Sequence, residues 1–152
     1  MGAQGRKTSP GKVLPSRTSR DKLIARAEEA LDGMRDEFSG WIQEETNDLS
    51  NALSAWVNSP QDPERTDDLF RRAHDLKGQA PTLGYPIVGR LANSLCHLLG
   101  CKNVEIRDLV VVAQNHVNAI EAAVRGEVRD DTDTTAAALA TELENIVNAL
   151  YT

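Results

Sequence analysis

The sequence predicts an all-α fold: an antiparallel four-helix bundle with a long N-terminal helix and an additional C-terminal helix. Three observations carry this. Apolar residues recur at three- and four-residue spacings over most of the chain beyond residue 20. Aromatic residues make up only 4% of the sequence, so the core is Leu, Val, Ile and Ala, which suits helix packing better than a β-sandwich. The periodic segments are short enough, and their connections tight enough, to close into a bundle. At 152 residues the chain makes one domain with at most a tail.

Residues 1–19 are rich in Gly, Pro, Ser and Thr and have no period, so they are expected to form a flexible basic tail, with a single helical domain over 20–152. The first helix follows from Ala27, Leu31, Met34, Phe38, Trp41, Leu49, Leu53 and Trp56, which keep near-heptad spacing. Ile42 supports the stripe where Glu45 interrupts it. Ser19 or Asp21 is the expected cap. Gly33 and Gly40 each cost about 1 kcal/mol of helix propensity, but the stripe stays in phase across both. One helix is therefore expected, with Ser39-Gly40 the place for a bend and an end near Asn58-Ser59-Pro60. Trp41 and Trp56 are expected in the packing.

Asp62 is a good N-cap for the second helix, Pro63 fits its first position, and Glu64 favours its positive end. Leu69, Ala73, Leu76, Ala80 and Leu83 form its inner stripe, Pro81 should loosen the last turn, and Gly84 is the expected stop. The third helix runs from about Pro86 to Leu99 on Val88, Leu91, Leu95, Leu98 and Leu99, and Gly100 stops it. The fourth uses Ile106, Leu109, Val110, Ala113, Val117, Ile120 and Val124 and ends near Gly126. Its β-prone run Leu109–Val112 lies inside a longer 3.6-residue period, so helix prevails. The last, about 132–151, buries Ala136, Leu139, Leu143, Ile146, Val147 and Leu150 under a cap from Asp131 or Thr132. The bundle core is expected over about 41–126.

Lengths pose a problem. A helix over 21–58 would run about 57 Å at 1.5 Å per residue, far longer than the second helix. Its N-terminal part leaves an apolar stripe that needs a cover. The C-terminal helix is the simplest one. The alternative is a second subunit: the expectation is a monomer, with a dimer through the long first helix as the variant.

Charge is uneven. Arg6, Lys7, Lys12, Arg17, Arg20 and Lys22 face only Asp21 in the first 22 residues, and the remainder carries 11 Lys and Arg against 22 Asp and Glu. So acidic a body argues against nucleic acid as a partner. There is no membrane-spanning run and no apolar stretch after the basic N-terminus, so neither a membrane span nor a secretory signal is expected. Two cysteines, Cys96 and Cys101, make no disulfide framework, and the protein is expected to be cytoplasmic. Cys96, His97, Cys101 and His116 have no recognised metal-ligand spacing, so no metal site is expected.

The chemistry concentrates in residues 73–84, Ala-His-Asp-Leu-Lys-Gly-Gln-Ala-Pro-Thr-Leu-Gly. His74 sits one position off the apolar stripe, and Lys77 and Gly78 follow one turn later on the same face. Imidazole, with an intrinsic pKa near about 6.5, can act as a neutral nucleophile at physiological pH. An ammonium beside it stabilises the charge of an arriving phosphoryl group. Glycine clears space for a partner. Arg71, three residues earlier, lies on the same side and could contact that partner, as could Gln79.

These residues resemble histidine-containing phosphotransfer (HPt) domains, whose pattern is H-x-x-K-G on the second helix of a four-helix bundle. The match is His74, Lys77, Gly78 and Gly84, with Thr82-Leu83-Gly84-Tyr85 close to the version in chemotaxis kinase HPt modules, and with Leu91, Leu95 and Cys96 fitting on the following helix. The resemblance implies a phosphoryl carrier rather than an enzyme. His74 would accept a phosphoryl group on Nε2 from a receiver aspartyl phosphate and pass it to another receiver. Lys77 would steady the phosphoryl oxygens. No cofactor is expected on this chain; the receiver would supply Mg²⁺. Implied partners are response-regulator receiver domains and a hybrid or chemotaxis-type histidine kinase. The family often offers a Gln or Glu from the next helix to the imidazole. Counted without gaps that position holds Cys96, with Asn93 and His97 as the alternatives.

Two rivals differ in kind. The dimerisation helix of a sensor kinase often reads H-E/D-x-x-x-P. Asp75 fits, but Pro81 lies seven residues after His74 rather than five, and no ATP-binding domain is expected. A helical module that only binds receivers would take up no phosphoryl group.

Overall fold

The computed structural model describes residues 16–151. Every regular element among them is a helix: α1 (Arg17–Asn58), α2 (Pro63–Gln79), α3 (Pro86–Leu99), α4 (Ile106–Arg125) and α5 (Thr134–Tyr151). The described residues fall into two units divided between Glu37 and Phe38.

The first unit is the N-terminal stretch of α1. It starts earlier than expected. The Ser19 N–H donates to Ser16 Oγ at 3.2 Å and the Arg20 N–H to the Ser16 carbonyl at 2.8 Å. Ser16, rather than Ser19 or Asp21, is thus the cap, and residues 17–19 form the first turn instead of tail. The rest of the expected tail lies outside the described residues. Every residue from 16 to 37 is exposed, Leu23, Ile24, Leu31 and Met34 at 49–56%. The C-terminal helix, expected as their cover, packs against α3 and α4 instead.

In the second unit α1 buries Ile42, Thr46, Leu49, Ala52, Leu53 and Trp56. Here the sequence reading slips by one position: Ile42 is fully buried and Trp41 is 48% exposed. An α-helix turns 3.6 residues per turn, so a strict heptad stripe drifts around it. Beyond residue 40 the buried face is a new three-four series, and Glu45 in the old series marks the change. The buried indole is satisfied. Trp56 Nε1 donates to Thr66 Oγ1 at 3.2 Å, and the Thr66 hydroxyl donates to the Asp62 carbonyl at 3.0 Å, which ties the end of α1 to the start of α2.

At α2 the local signals hold: the Glu64 N–H donates to Asp62 Oδ1 at 2.9 Å, with Pro63 in the first turn. Its end differs. The helix stops at Gln79 rather than Gly84, because Pro81 has no N–H to continue the ladder. The turn closes with the Tyr85 N–H on the Ala80 carbonyl at 2.8 Å, and Gly84 takes φ +93°. Ala80 and Leu83 stay buried in that turn. The Pro81 ring lies against Gly89 of α3, where a Cβ would come within 2.9 Å of its Cγ.

α3 is the central helix. It packs against α2, α4 and α5 and buries nine of its residues, Ser94 and Cys96 among them. Arg90 holds α5 to it: Nε and Nη2 donate to the two oxygens of Glu144 at 3.0 and 2.7 Å. α5 is capped by Asp133, whose Oδ1 accepts from the Ala136 N–H at 3.0 Å. Asp131 and Thr132 do not cap it; the Thr132 N–H and hydroxyl are turned back to Asp130. On α5 the buried residues are Ala140, Leu143 and Val147, while Leu139, expected inside, is half exposed. Both cysteines are free thiols. Among the described residues no helix is long and apolar enough to cross a membrane.

One titratable group is locked in the core. His116 on α4 is fully buried, with Nδ1 2.8 Å from the Val112 carbonyl and Nε2 2.8 Å from Ser94 Oγ. Those partners suit a neutral ring that donates from Nδ1 and accepts from the serine hydroxyl. Burial pushes its pKa below the ordinary value, although the Val112 hydrogen bond and the Glu144 charge oppose this. The unfolded chain therefore binds this proton first. Stability should be level above about pH 6.5 and fall as pH drops below it. The wild-type urea midpoint should drop between about pH 7 and 5.5 by more than that of His116→Gln. Equal pH slopes in the two proteins would contradict the assignment.

Candidate functional site

Burial of Leu69, Ala73 and Leu76 fixes the rotation of α2 and leaves positions 71, 74, 75 and 78 outside. His74, Lys77, Gly78 and Gln79 are all exposed. The Phe70 ring, one turn before His74, stacks on the imidazole with centroids 6.1 Å apart and planes 26° from parallel. Phe70 is 40% exposed. Its role escaped the sequence reading, although its place four residues before His74 was the available signal. A Cβ built on Gly78 meets nothing within 4 Å. The imidazole thus stands on an open face, supported on one side by a ring and clear on the other.

The cations near it are not equivalent. Arg72 is engaged, 3.4 Å from Asp48 of α1 and 3.8 Å from Asp68. Arg71 has a long contact to Asp68 at 3.9 Å, and its side chain is largely exposed. Lys77 makes no ion pair among the described residues. Its charge is felt at Cys96 of α3: burial pushes that thiol up to about 11, and Lys77 draws it the other way. Lys77 thus stands where α2 meets α3.

The three candidates for orienting the imidazole separate. Cys96 is buried on the α2 side, within reach of the Lys77 field. Asn93 and His97 are set against α5, in a cleft with Glu144, Asn145 and Asn148, and His97 meets the Tyr151 ring edge-on at 6.3 Å. That assigns them to α5 packing rather than to α2. The ring that touches the imidazole is Phe70.

Beside Gly78 opens a cleft of about 400 Å³, lined by Trp41, Glu44, Glu45, Gly78, Gln79, Thr82 and Leu83. Trp41 is therefore a surface residue near the site rather than part of the core. The Glu45 carboxyl titrates above the usual range through partial burial, then through Asp48 and Asp75, with Arg72 opposing. Among the described residues no group of three or more His, Cys, Asp and Glu could hold a metal ion. What remains is an exposed nucleophilic imidazole, a nearby ammonium and an uncluttered approach. That set can take an electrophile from another protein.

The model of the family described as Hpt domain matches residues 21–149, from the first turns of α1 to the end of α5. No solved structure matches the chain.

Gly78 and Gly84 should respond oppositely to substitution. At Gly84 the positive φ, and an Arg129 nitrogen 2.9 Å from a built Cβ, should make Gly84→Ala cost about 1–2 kcal/mol. At Gly78 an added methyl meets nothing, so Gly78→Ala should leave stability unchanged or raise it by about 0.5 kcal/mol through helix propensity. Urea unfolding of the two variants checks this. A destabilised Gly78→Ala would refute the open face.

Proposed function

The chain belongs to the Hpt domain family, the phosphocarriers of two-component phosphorelays, and we propose that His74 is the residue that carries the phosphoryl group in it. The observation that supports this most strongly is the outward rotation of His74 on a helix whose opposite face is fully buried. A carrier must present one nitrogen to a donor and later to an acceptor, so the ring has to be exposed yet held.

In the transfer, imidazole Nε2 attacks the phosphorus of a receiver aspartyl phosphate. The P–N bond forms as the P–O bond to the aspartate breaks, and the carboxylate departs on the receiver. The Nδ1 proton can then leave to water. The reverse step delivers the group to a second receiver aspartate. Lys77 faces the incoming phosphoryl oxygens and offsets their charge. Mg²⁺ belongs to the receiver's site; His74 and Lys77 need none of their own. Phe70 limits the swing of the ring, a role the expected Gln or Glu would otherwise fill. Gly78 lets the receiver backbone come close, and Arg71 and Gln79 edge the contact. The donors and acceptors we assign are receiver domains together with a hybrid or chemotaxis-type histidine kinase, in the cytoplasm.

The test is transfer from a purified receiver domain in its aspartyl-phosphate form, with Mg²⁺. The wild type should gain acid-labile label and His74→Gln none. Lys77→Ala should slow transfer by about tenfold or more with the helical content unchanged. Gly78→Leu should weaken receiver binding without unfolding the bundle. Undiminished label on His74→Gln would overturn the assignment. An unchanged rate in Lys77→Ala would remove that residue from the mechanism.

A further inference from the structure

We propose that the cleft between α1 and the end of α2 is a specificity site, taking an arginine side chain from the receiver that docks over His74. The identity of the partner rests on the phosphotransfer reading; the cleft's preference for a long cation rests on other residues. The cleft, of about 400 Å³, is lined by Trp41, Glu44 and Glu45 of α1 and by Gly78, Gln79, Thr82 and Leu83 at the end of α2. Trp41 is 48% exposed, whereas Trp56 is wholly buried. The exposed indole is held in place: Phe38, half-buried against the core, meets it with ring centroids 5.5 Å apart. It offers a fixed aromatic surface that the bundle itself leaves uncovered. Gly78 borders the cleft and follows His74 by one helical turn, so a protein covering His74 also covers the cleft.

The charges select the occupant. Among the described residues neither Glu44 nor Glu45 has a cation within ion-pair distance, and Arg72, the cation felt at Glu45, is engaged with Asp48 and Asp68. Partial burial first, then Asp48 and Asp75, hold the Glu45 carboxyl above the usual range. The site therefore has negative charge without a matching positive one. A purely apolar side chain would strip water from the two carboxylates and give nothing back. An anion would add repulsion. An arginine meets both demands. Its aliphatic stem covers the apolar wall of Trp41 and Leu83, and its planar guanidinium stacks on an indole while donating to carboxylates.

Nuclear magnetic resonance of the isotope-labelled full chain, titrated with N-acetyl-arginine methylamide, tests the cleft without any transfer step. The Trp41 indole N–H and the Gly78 and Gln79 amides should shift. The Trp56 indole, bonded to Thr66 in the core, should not. The norleucine analogue, a stem without the charge, should shift them several-fold less at equal concentration. Combining Glu44→Gln with Glu45→Gln should erase that difference. The second arm is calorimetric binding of a receiver domain in the His74→Gln background, where no transfer occurs. There the paired glutamine changes and Trp41→Ala should each weaken binding by about tenfold, with helical content unchanged. No arginine-dependent shift at Trp41, an equal response to the norleucine analogue, or undiminished receiver binding in these variants would overturn the proposal. Arginine shifts at Trp41 in a protein that takes no label on His74 would support the cleft and count against the phosphotransfer reading instead.

Discussion

The burial of one face of α2 against the centre of the bundle is the interaction on which the rest depends. Leu69, Ala73, Leu76 and Ala80 are completely buried, and four such residues fix the helix rotation to within a fraction of a turn. Once that face is committed, His74 has no route inward. Its exposure follows from its neighbours' burial rather than from anything special to histidine. The same commitment leaves Lys77 exposed on the turn after His74 and Gly78 facing open space. α3 makes this possible because it packs on three sides and leaves α2 a continuous apolar wall.

Local chemistry was legible where a residue acts on its own turn of chain. Asp62, Pro63 and Glu64 announced the start of α2, and Pro86 and Gly100 bracketed α3, because caps and proline geometry are decided within four residues. The errors came where a local signal was under-read or where several partners compete. α2 stops at Gln79 because Pro81 has no N–H for the next rung of the ladder, a break the sequence reading took only for a loosening of the last turn. Asp133 caps α5 while Thr132 is taken by Asp130, and several nearby acceptors made that choice unreadable. Trp41 was placed inside by carrying one heptad too far. Glu45 had already shown that the phase must change.

The site divides the same way. That His74, Lys77 and Gly78 share one exposed turn was readable because they lie within one helical turn of each other. What holds the ring was not, because three residues of α3 were candidates and the rotation of α3 was unknown. Asn93 and His97 turn to α5, Cys96 is buried beside Lys77, and a stacked Phe70 meets the imidazole instead. Gly78 is informative for the opposite reason: nothing in the fold needs a glycine there. A glycine that weakens its helix and touches nothing is what the proposed close approach of a partner would call for.

The central claim is the proposal that His74, and neither of the other two histidines, is the carrier. His116 is sealed in the core, and His97 is exposed but lies on α3 against Tyr151 of α5, outside the Lys77 and Gly78 turn. Mass spectrometric mapping of the protein after incubation with a phosphorylated receiver, kept at alkaline pH to preserve phosphohistidine, measures this directly. The account predicts the modification on His74 alone. Modification of His97, or of no histidine, would contradict it.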